Sequence, residues 1–335
     1  MKIFTNTKTN PFITLVLEEM LLKDETINED ILYFYQHDNA IIIGKNQNIY
    51  QEVKLEVVEA EKIQVYRRLS GGGAVYHDLG NINFSFITDK DQHSYAKFLN
   101  PIIEFFNSLG LQAEYKGRND ILVNGAKVSG NAQIIYKNKI VHHGTILFNA
   151  NLAKLSEVLI PNKLKIESKG IKSIRQRVTN ILAELNNGMT DGEFIKKLIE
   201  FFENKYHTSA RDVVDAYLNS PEKNTTFQQL SKLRGSSEWI FGTNPAFSYE
   251  NIAKTSGGIL KVLANVDKNI IKNIKFEGDF LSQREVEDIE KLLTNVAYDK
   301  KEIRSIFSQI TNLDEYFSNI SIDEILELIF GENNV

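Results

Sequence analysis

The residues best suited to chemistry sit in one run, Arg67-Arg68-Leu69-Ser70-Gly71-Gly72-Gly73-Ala74-Val75-Tyr76-His77-Asp78-Leu79-Gly80-Asn81. Glycine loses more backbone entropy on folding than any other residue, so three in a row call for a turn with unusual φ angles or a backbone lying against a ligand. Two arginines beside such a turn add fixed positive charge and planar donors that match phosphate or carboxylate. A solvated hairpin tip would also carry glycines, but it has no need of Ala74, Val75 and Tyr76 next to them. Nor does it need His77, Asp78 and Asn81, polar groups that orient one another. The run predicts a site for an anionic, partly apolar ligand.

Three further groups can act with it. Asn124-Gly125 is a strong hairpin signal, and it puts Lys127 at the start of the returning strand. His142 and His143 are adjacent on a strand, so their side chains leave opposite faces and do not readily share a metal. One of them at least is expected to face the core. Between Lys163 and Asn180, six basic residues (Lys163, Lys165, Lys169, Lys172, Arg175 and Arg177) stand against one acid, Glu167. The poor hydrophobic period there predicts a mobile loop, able to capture phosphate.

The elements that must hold these groups follow from periodicity and punctuation. Asn10-Pro11 opens a helix with Phe12, Leu15, Val16 and Met20 on one stripe and Glu18 and Glu19 off it. Short strands are predicted over Ile31–Tyr35, Ala40–Ile43, Ile63–Tyr66, Asn83–Ile87, Leu111–Tyr115 and Lys139–Asn149. Helices are predicted over Val53–Lys62, Ser94–Leu109, Asn151–Leu159 and Asp191–Asn204. Composition shifts to Ser, Gly, Asn and Pro around Gly235–Tyr249, which suits a boundary. Beyond it, strands over Gly258–Val266 and Ile270–Phe276 precede helices over Gln283–Leu293, Lys301–Ile310 and Ile322–Phe330. Helices alternating with several antiparallel strands define an α+β class.

The whole chain limits the possibilities. Its 335 residues allow two domains. A net charge of −5 argues against general nucleic-acid binding. Without an apolar run near 18 residues or a signal-peptide pattern, a cytoplasmic protein that avoids membranes is expected. The absence of cysteine removes disulfides, thiolate metal sites and a cysteine nucleophile together.

Taken as a string, Arg67–Asn81 closely resembles the R-R-x-S-G-G-G-A-V-[YF]-H-D-x-G-N signature of lipoate–protein ligases. Gly44-Lys45-Asn46-Gln47-Asn48, Gly117–Asp120, Lys127–Ala132, His142-His143-Gly144-Thr145 and Lys169–Asn180 resemble the family's other blocks in the family's order. Trp239-Ile240-Phe241-Gly242 and Gly278-Asp279-Phe280 are similar to its later landmarks. Two departures bear on substrate preference. Leu69 stands where some members carry a third arginine, and Asn131-Ala132-Gln133-Ile134 differs from members with an arginine just beyond.

The resemblance implies a biotin/lipoate-ligase fold, class II synthetase-like, over residues 1–245, a linker over 246–253 and a small α+β accessory domain over 254–335. It implies two steps: lipoate and ATP form lipoyl-adenylate, and a carrier-domain lysine then takes the lipoyl group. Lys127 would collect charge on the carboxylate and α-phosphate. Arg68, Gly73, Ala74, Val75, Tyr76, Asn119, Asp120, Arg175 and Arg177 would bind ATP or the adenylate, and Asp120 would help hold Mg²⁺. Ser70, Gly71, Gly72, His77, His143 and Gly144 would meet lipoate, together with Lys127. The implied partners are lipoyl domains of 2-oxoacid dehydrogenase E2 subunits or the glycine-cleavage carrier protein. An octanoyl transferase on this fold uses a cysteine, which this chain lacks. Biotin ligases carry a G-R-G-R-x-G-R loop, also missing here. A catalytically inactive module that binds lipoate or a lipoyl domain is the remaining alternative.

Overall fold

The computed structural model describes residues 1–92, 94–117, 119–160, 178–242 and 249–331. The expected basic loop, with Arg175 and Arg177, lies outside these residues, as do Arg118 and residues 243–248.

An eight-stranded mixed sheet forms the centre of the first part. Its order is β11 (Arg211–Asp212), β1 (Lys2–Thr5), β2 (Ile31–Gln36), β6 (Asn81–Asp89), β10 (Lys139–Leu147), β9 (Ala126–Tyr136), β8 (Asp120–Val123) and β7 (Ala113–Lys116). β1 runs parallel to β2 and β11, and the remaining pairs are antiparallel. Asn124 and Gly125 take φ of 51° and 80°, the left-handed pair that a tight hairpin between β8 and β9 requires.

Each face of this sheet is covered by helices because its strands alternate apolar side chains both ways. On one face, Phe98, Ile102, Phe105 and Phe106 of helix Tyr95–Ser108 and Phe194, Leu198 and Phe202 of helix Asp191–Tyr206 pack against Phe84, Phe86 and Ile140. On the other, Leu15, Val16, Leu17 and Leu21 of helix Pro11–Lys23 pack with Tyr33, Tyr35 and Ile134.

A small second sheet, β4 (Gln64–Arg67), β3 (Ala40–Ile43) and β5 (Val75–His77), carries the glycine turn between β4 and β5. The helix expected over Val53–Lys62 is shorter, Leu55–Ala60, and a separate turn of helix, Ile49–Glu52, precedes it. Val53, between the two, forms a β-bridge with Leu159. The C-terminal part is a three-stranded antiparallel sheet, β12 (Tyr249–Thr255), β13 (Gly258–Asp267) and β14 (Ile270–Gly278), with helices packed around Phe276, Phe280 and Phe317. β12 starts inside the stretch where composition predicts the linker.

Two elements differ from expectation for visible reasons. Helix Pro221–Arg234 is not announced by its sequence, since its only buried side chains are Phe227 and Arg234. The helix expected from Gln283 begins only at Glu287. The backbone of Gln283 is engaged elsewhere: its N–H donates to Glu315 O and its carbonyl accepts from Ile135 N–H of β9. Among the described residues, no helix is long and apolar enough to cross a membrane.

Candidate active site

The glycine turn is built from inside by its two arginines. Arg67, buried at the end of β4, donates to five carbonyls, those of Gly44, Lys45, Gln47, Trp239 and Ile240. Trp239 returns the contact, its indole N–H donating to Arg67 O at 2.9 Å. Arg68 bends back on the turn itself. Its guanidinium donates to Gly71 O at 2.8 Å, Gly73 O at 2.9 Å, Ile42 O at 3.1 Å and Ser70 Oγ at 3.1 Å. Burial brings its pKa down to about 10, which still leaves it charged at neutral pH.

The turn has no room for side chains. Gly72 has φ of +94°, and a Cβ on Gly44 would fall 1.9 Å from Gly72 O. A Cβ on Gly71 would lie 2.6 Å from Ser282 N and 2.7 Å from Phe280 O. The Gly72 N–H donates to Phe280 O at 2.9 Å, and the Gly71 N–H to Ser282 O at 3.4 Å. Two backbone donors beside Ser70 therefore hold carbonyl oxygens of the C-terminal domain. Val75 packs on the core under helix Pro11–Lys23, while Ala74 and Tyr76 face the opposite cluster. The Tyr76 hydroxyl donates to Asn39 Oδ1 at 3.1 Å.

Ser70 leads to a buried polar group. Its Oγ lies 2.7 Å from His143 Nε2, and His143 Nδ1 donates to Glu18 at 3.1 Å. Tyr35 donates to the same carboxylate at 3.1 Å, and Ser85 donates to it as well. Burial alone would raise the Glu18 pKa. The facing His143 and these hydrogen bonds override it, so the carboxyl is held below its ordinary value. The stripe on this helix predicted Glu18 and Glu19 away from the core; the structure buries both. Glu19 is held by Arg234 at 2.7 and 2.8 Å and by Lys23 at 2.6 Å.

His142 and His143 leave opposite faces of β10, as adjacent strand residues must. Both are buried. His142 sits among Phe84, Phe98 and Tyr95. Gly144 is fixed by packing, since a Cβ there would fall 2.0 Å from Asn131 Oδ1 and 2.5 Å from Phe84. His77 turns away from the group around Ser70 to stack on His37, with their Nδ1 atoms 3.0 Å apart. Burial holds His77 well below the usual histidine range and His37 at about 3.

Lys127 lies on the strand next to His143. Its ammonium is 2.6 Å from Asp120 Oδ1, the side chain half-buried. The bare Cα of Gly130 makes this possible, as a Cβ there would approach Lys127 Nζ to 3.1 Å. Gly130 N–H donates to Thr145 Oγ1 at 3.1 Å, two residues along β10 from His143. Lys127 and His143 are thus carried on neighbouring strands β9 and β10, while Ser70 comes from the glycine turn and Glu18 from helix Pro11–Lys23. Asn119 is tied to Asn131 by two reciprocal bonds of 2.5 and 2.9 Å. Among the described residues no three His, Cys, Asp or Glu side chains converge as a metal centre, so Asp120 offers a cation one carboxylate.

Such a site carries an ammonium and a buried polar group, a combination that suits carboxylate and phosphate. Residues 10–203 match the lipoyl protein ligase A/B catalytic domain family, and residues 244–329 match the bacterial lipoate protein ligase C-terminus. The chain belongs to the lipoate–protein ligase family. It is 40% identical to lipoate-protein ligase LplJ of Bacillus subtilis over 96% of this chain and 97% of that protein. It also resembles the crystal structure of P. falciparum LipL1 in complex with lipoate, with a TM-score of 0.79, 26% identity and 97% coverage of both chains. A lipoate-protein ligase A bound with ATP superimposes with a TM-score of 0.58 at 26% identity, over 72% of this chain and 99% of that one. Of the two readings, catalyst or inactive binder, these relatives support the ligase.

Sequence reasoning did not find Glu18, Tyr35, Ser85 or Arg234. The available signal was two consecutive acids inside an otherwise apolar helix, which is unfavourable unless both are paired.

Proposed function

We propose that this chain joins lipoate to lysine in two steps at the site around Lys127. The observation that carries the reading is the Lys127 ammonium beside Asp120 over Gly130, on the strand adjoining that of His143, whose Nε2 meets Ser70 Oγ. In the first step a lipoate carboxylate oxygen attacks the α-phosphorus of ATP. The bond from that phosphorus to pyrophosphate breaks, giving lipoyl-adenylate. In the second, a neutral lysine amine on a carrier attacks the acyl carbon. The acyl–oxygen bond breaks, AMP leaves and the amine gives up a proton.

Lys127 meets the charge that develops between carboxylate and α-phosphate. Ser70, Gly71, Gly72, His143 and Gly144 receive lipoate. His77 contributes by setting the wall behind β5. Gly73, Ala74, Val75 and Tyr76 line the adenylate, with Arg68 holding their turn in shape. Asn119, Asp120, Arg175 and Arg177 bind the ATP or adenylate. Mg²⁺ fits a single carboxylate such as Asp120 because most of its ligands are phosphate oxygens and water. When bound, it neutralises charge on the phosphates.

The acyl acceptors are lipoyl domains of E2 subunits or the glycine-cleavage carrier protein, in the cytoplasm. The chain divides into a catalytic domain, 1–245, a linker around 246–253 and an accessory domain, 254–335. Strand β12, Tyr249–Thr255, begins within those linker residues and pairs with β13. The test is lipoate-dependent exchange of labelled pyrophosphate into ATP. Exchange supports the ligase; lipoate binding without exchange supports the inactive binder.

A further inference from the structure

We infer that Gln133, His142 and Asn131 are positioning residues that link docking of the C-terminal domain to the placement of Asp120 and Lys127, an inference resting on the ligase reading above. A continuous buried hydrogen-bond chain joins the two. Strand β8 is short, and its pairing with β9 ends at Asp120 opposite Gly130. Further along β9, Ile135 N–H donates instead to Gln283 O of the C-terminal domain, at 2.6 Å. The Gln283 side chain then enters the core, Nε2 donating to Gln133 Oε1 at 2.5 Å.

From there each direction is forced by the one before. With its oxygen facing Gln283, Gln133 presents Nε2 to His142 Nδ1 at 3.1 Å. That nitrogen must be the bare one, so the proton sits on Nε2, which donates to Asn131 Oδ1 at 3.2 Å. Asn131 Nδ2 is then free to donate to Asn119 O at 2.9 Å, beside Asp120 and its ion pair with Lys127. Gln133, His142 and Asn131 are all buried, where water cannot substitute for a lost partner. Burial also keeps His142 neutral, its pKa far below the usual value. A neutral imidazole with one proton can serve as a one-way connector.

A second, costlier arrangement has every amide turned and the proton on His142 Nδ1; it sets Asn131 Oδ1 against Asn119 O, two acceptors. In that state Asn131 gives its Nδ2 to His142 and withdraws it from Asn119 O. Two discrete arrangements biased by a distant contact are the physical requirement for coupling. Docked with Nε2 donating to Gln133 Oε1, Gln283 supports the arrangement that holds the Asn119–Asp120 turn. Adenylation at Lys127 is therefore favoured while the C-terminal domain is seated.

The test is Gln283→Glu in the full chain, read by ¹⁵N NMR of labelled histidine and by pyrophosphate exchange. The new carboxylate only accepts, so it draws Gln133 Nε2 towards itself and turns the chain over. We expect the His142 proton to move from Nε2 to Nδ1, and the exchange kcat to fall roughly tenfold or more, as misplacement of a catalytic group does. Gln283→Leu, which removes the donor without adding charge, should give a mixture of tautomers and an intermediate rate. Gln133→Leu should lower kcat alone and abolish any further effect of Gln283→Glu. An unchanged His142 tautomer in both Gln283 variants overturns the inference, and so does an inverted tautomer with wild-type exchange. Failure of the unaltered protein to exchange at all would instead contradict the ligase reading, with the tautomer still deciding whether the chain transmits docking.

Discussion

Lys127 Nζ lies 2.6 Å from Asp120 Oδ1, so the ammonium proposed to meet the substrate's negative charge is held by a carboxylate of the neighbouring strand. The pair fixes a long, flexible side chain over Gly130. An incoming carboxylate or phosphate then meets a preorganised donor. Lys127→Ala is expected to raise the barrier to adenylate formation by about 3–4 kcal/mol, the scale of losing a donor to developing charge. The measurement is pyrophosphate exchange beside a thermal melt. Near-normal exchange in a folded variant removes Lys127 from the mechanism.

Gly144 tests the packing that holds the site. The space its missing Cβ leaves is filled by Asn131 Oδ1 and the Phe84 ring. Gly144→Ala should destabilise the protein by roughly 1–3 kcal/mol, the usual scale of overpacking a tight core. It should also disturb Asn131 and with it the Asn119 turn. A denaturant midpoint equal to wild type would show that the strand shifts freely, contrary to this packing.

What the sequence made legible was mostly local. The Asn124-Gly125 turn, the Asn10-Pro11 helix start and helix Ile322–Phe330 follow from residues close together in the chain. The glycine turn was recognisable because three glycines and two arginines have few other uses. The job of Arg67 was not, since its partners include Trp239 and Ile240, far along the chain. The same holds for Glu18 and Glu19, whose burial depends on His143 and Arg234. Charges on an apolar helix read as solvated until the elements that neutralise them are assembled. His77 illustrates the converse: its motif suggested ligand contact, and tertiary structure stacked it on His37.

Glu290 gives the C-terminal domain a pH dependence of known sign. Burial pushes its carboxyl up to about 7 from an ordinary 4.5, although Phe276 N–H donates to it at 2.9 Å. Between those values the folded state binds more protons than the unfolded one, so stability falls as pH rises through this window. The full effect is about 3 kcal/mol. Glu18 and Glu19, whose carboxyls are held low, act in the opposite sense and only at more acid pH. The melting temperature is expected to be higher near pH 5 than near pH 8, with Glu290→Gln flattening that slope. An unaltered slope in Glu290→Gln would assign the dependence to another group.

The C-terminal domain contacts the site through Phe280 O and Ser282 O on the glycine amides and through Lys45, whose ammonium lies 2.9 Å from Glu285 and 3.1 Å from Glu287. A site that forms an anhydride must exclude water, and later admit a carrier lysine; a movable cover satisfies both demands. Truncation near Ala246 is expected to remove most adenylation from lipoate and ATP while preserving transfer from supplied lipoyl-adenylate. Full-rate adenylation, or loss of both half-reactions in a folded fragment, would refute this division.

One site is to make lipoyl-adenylate and then pass its acyl group to a protein lysine. The most direct test is a single turnover of the full chain with ATP, Mg²⁺, lipoate and an unmodified lipoyl domain, followed by mass spectrometry of the domain and by AMP release. One lipoyl group on the domain's lysine is expected for each AMP released, with Lys127→Ala defective from free lipoate. A domain left unmodified while AMP accumulates, or modified equally well without ATP, would contradict it.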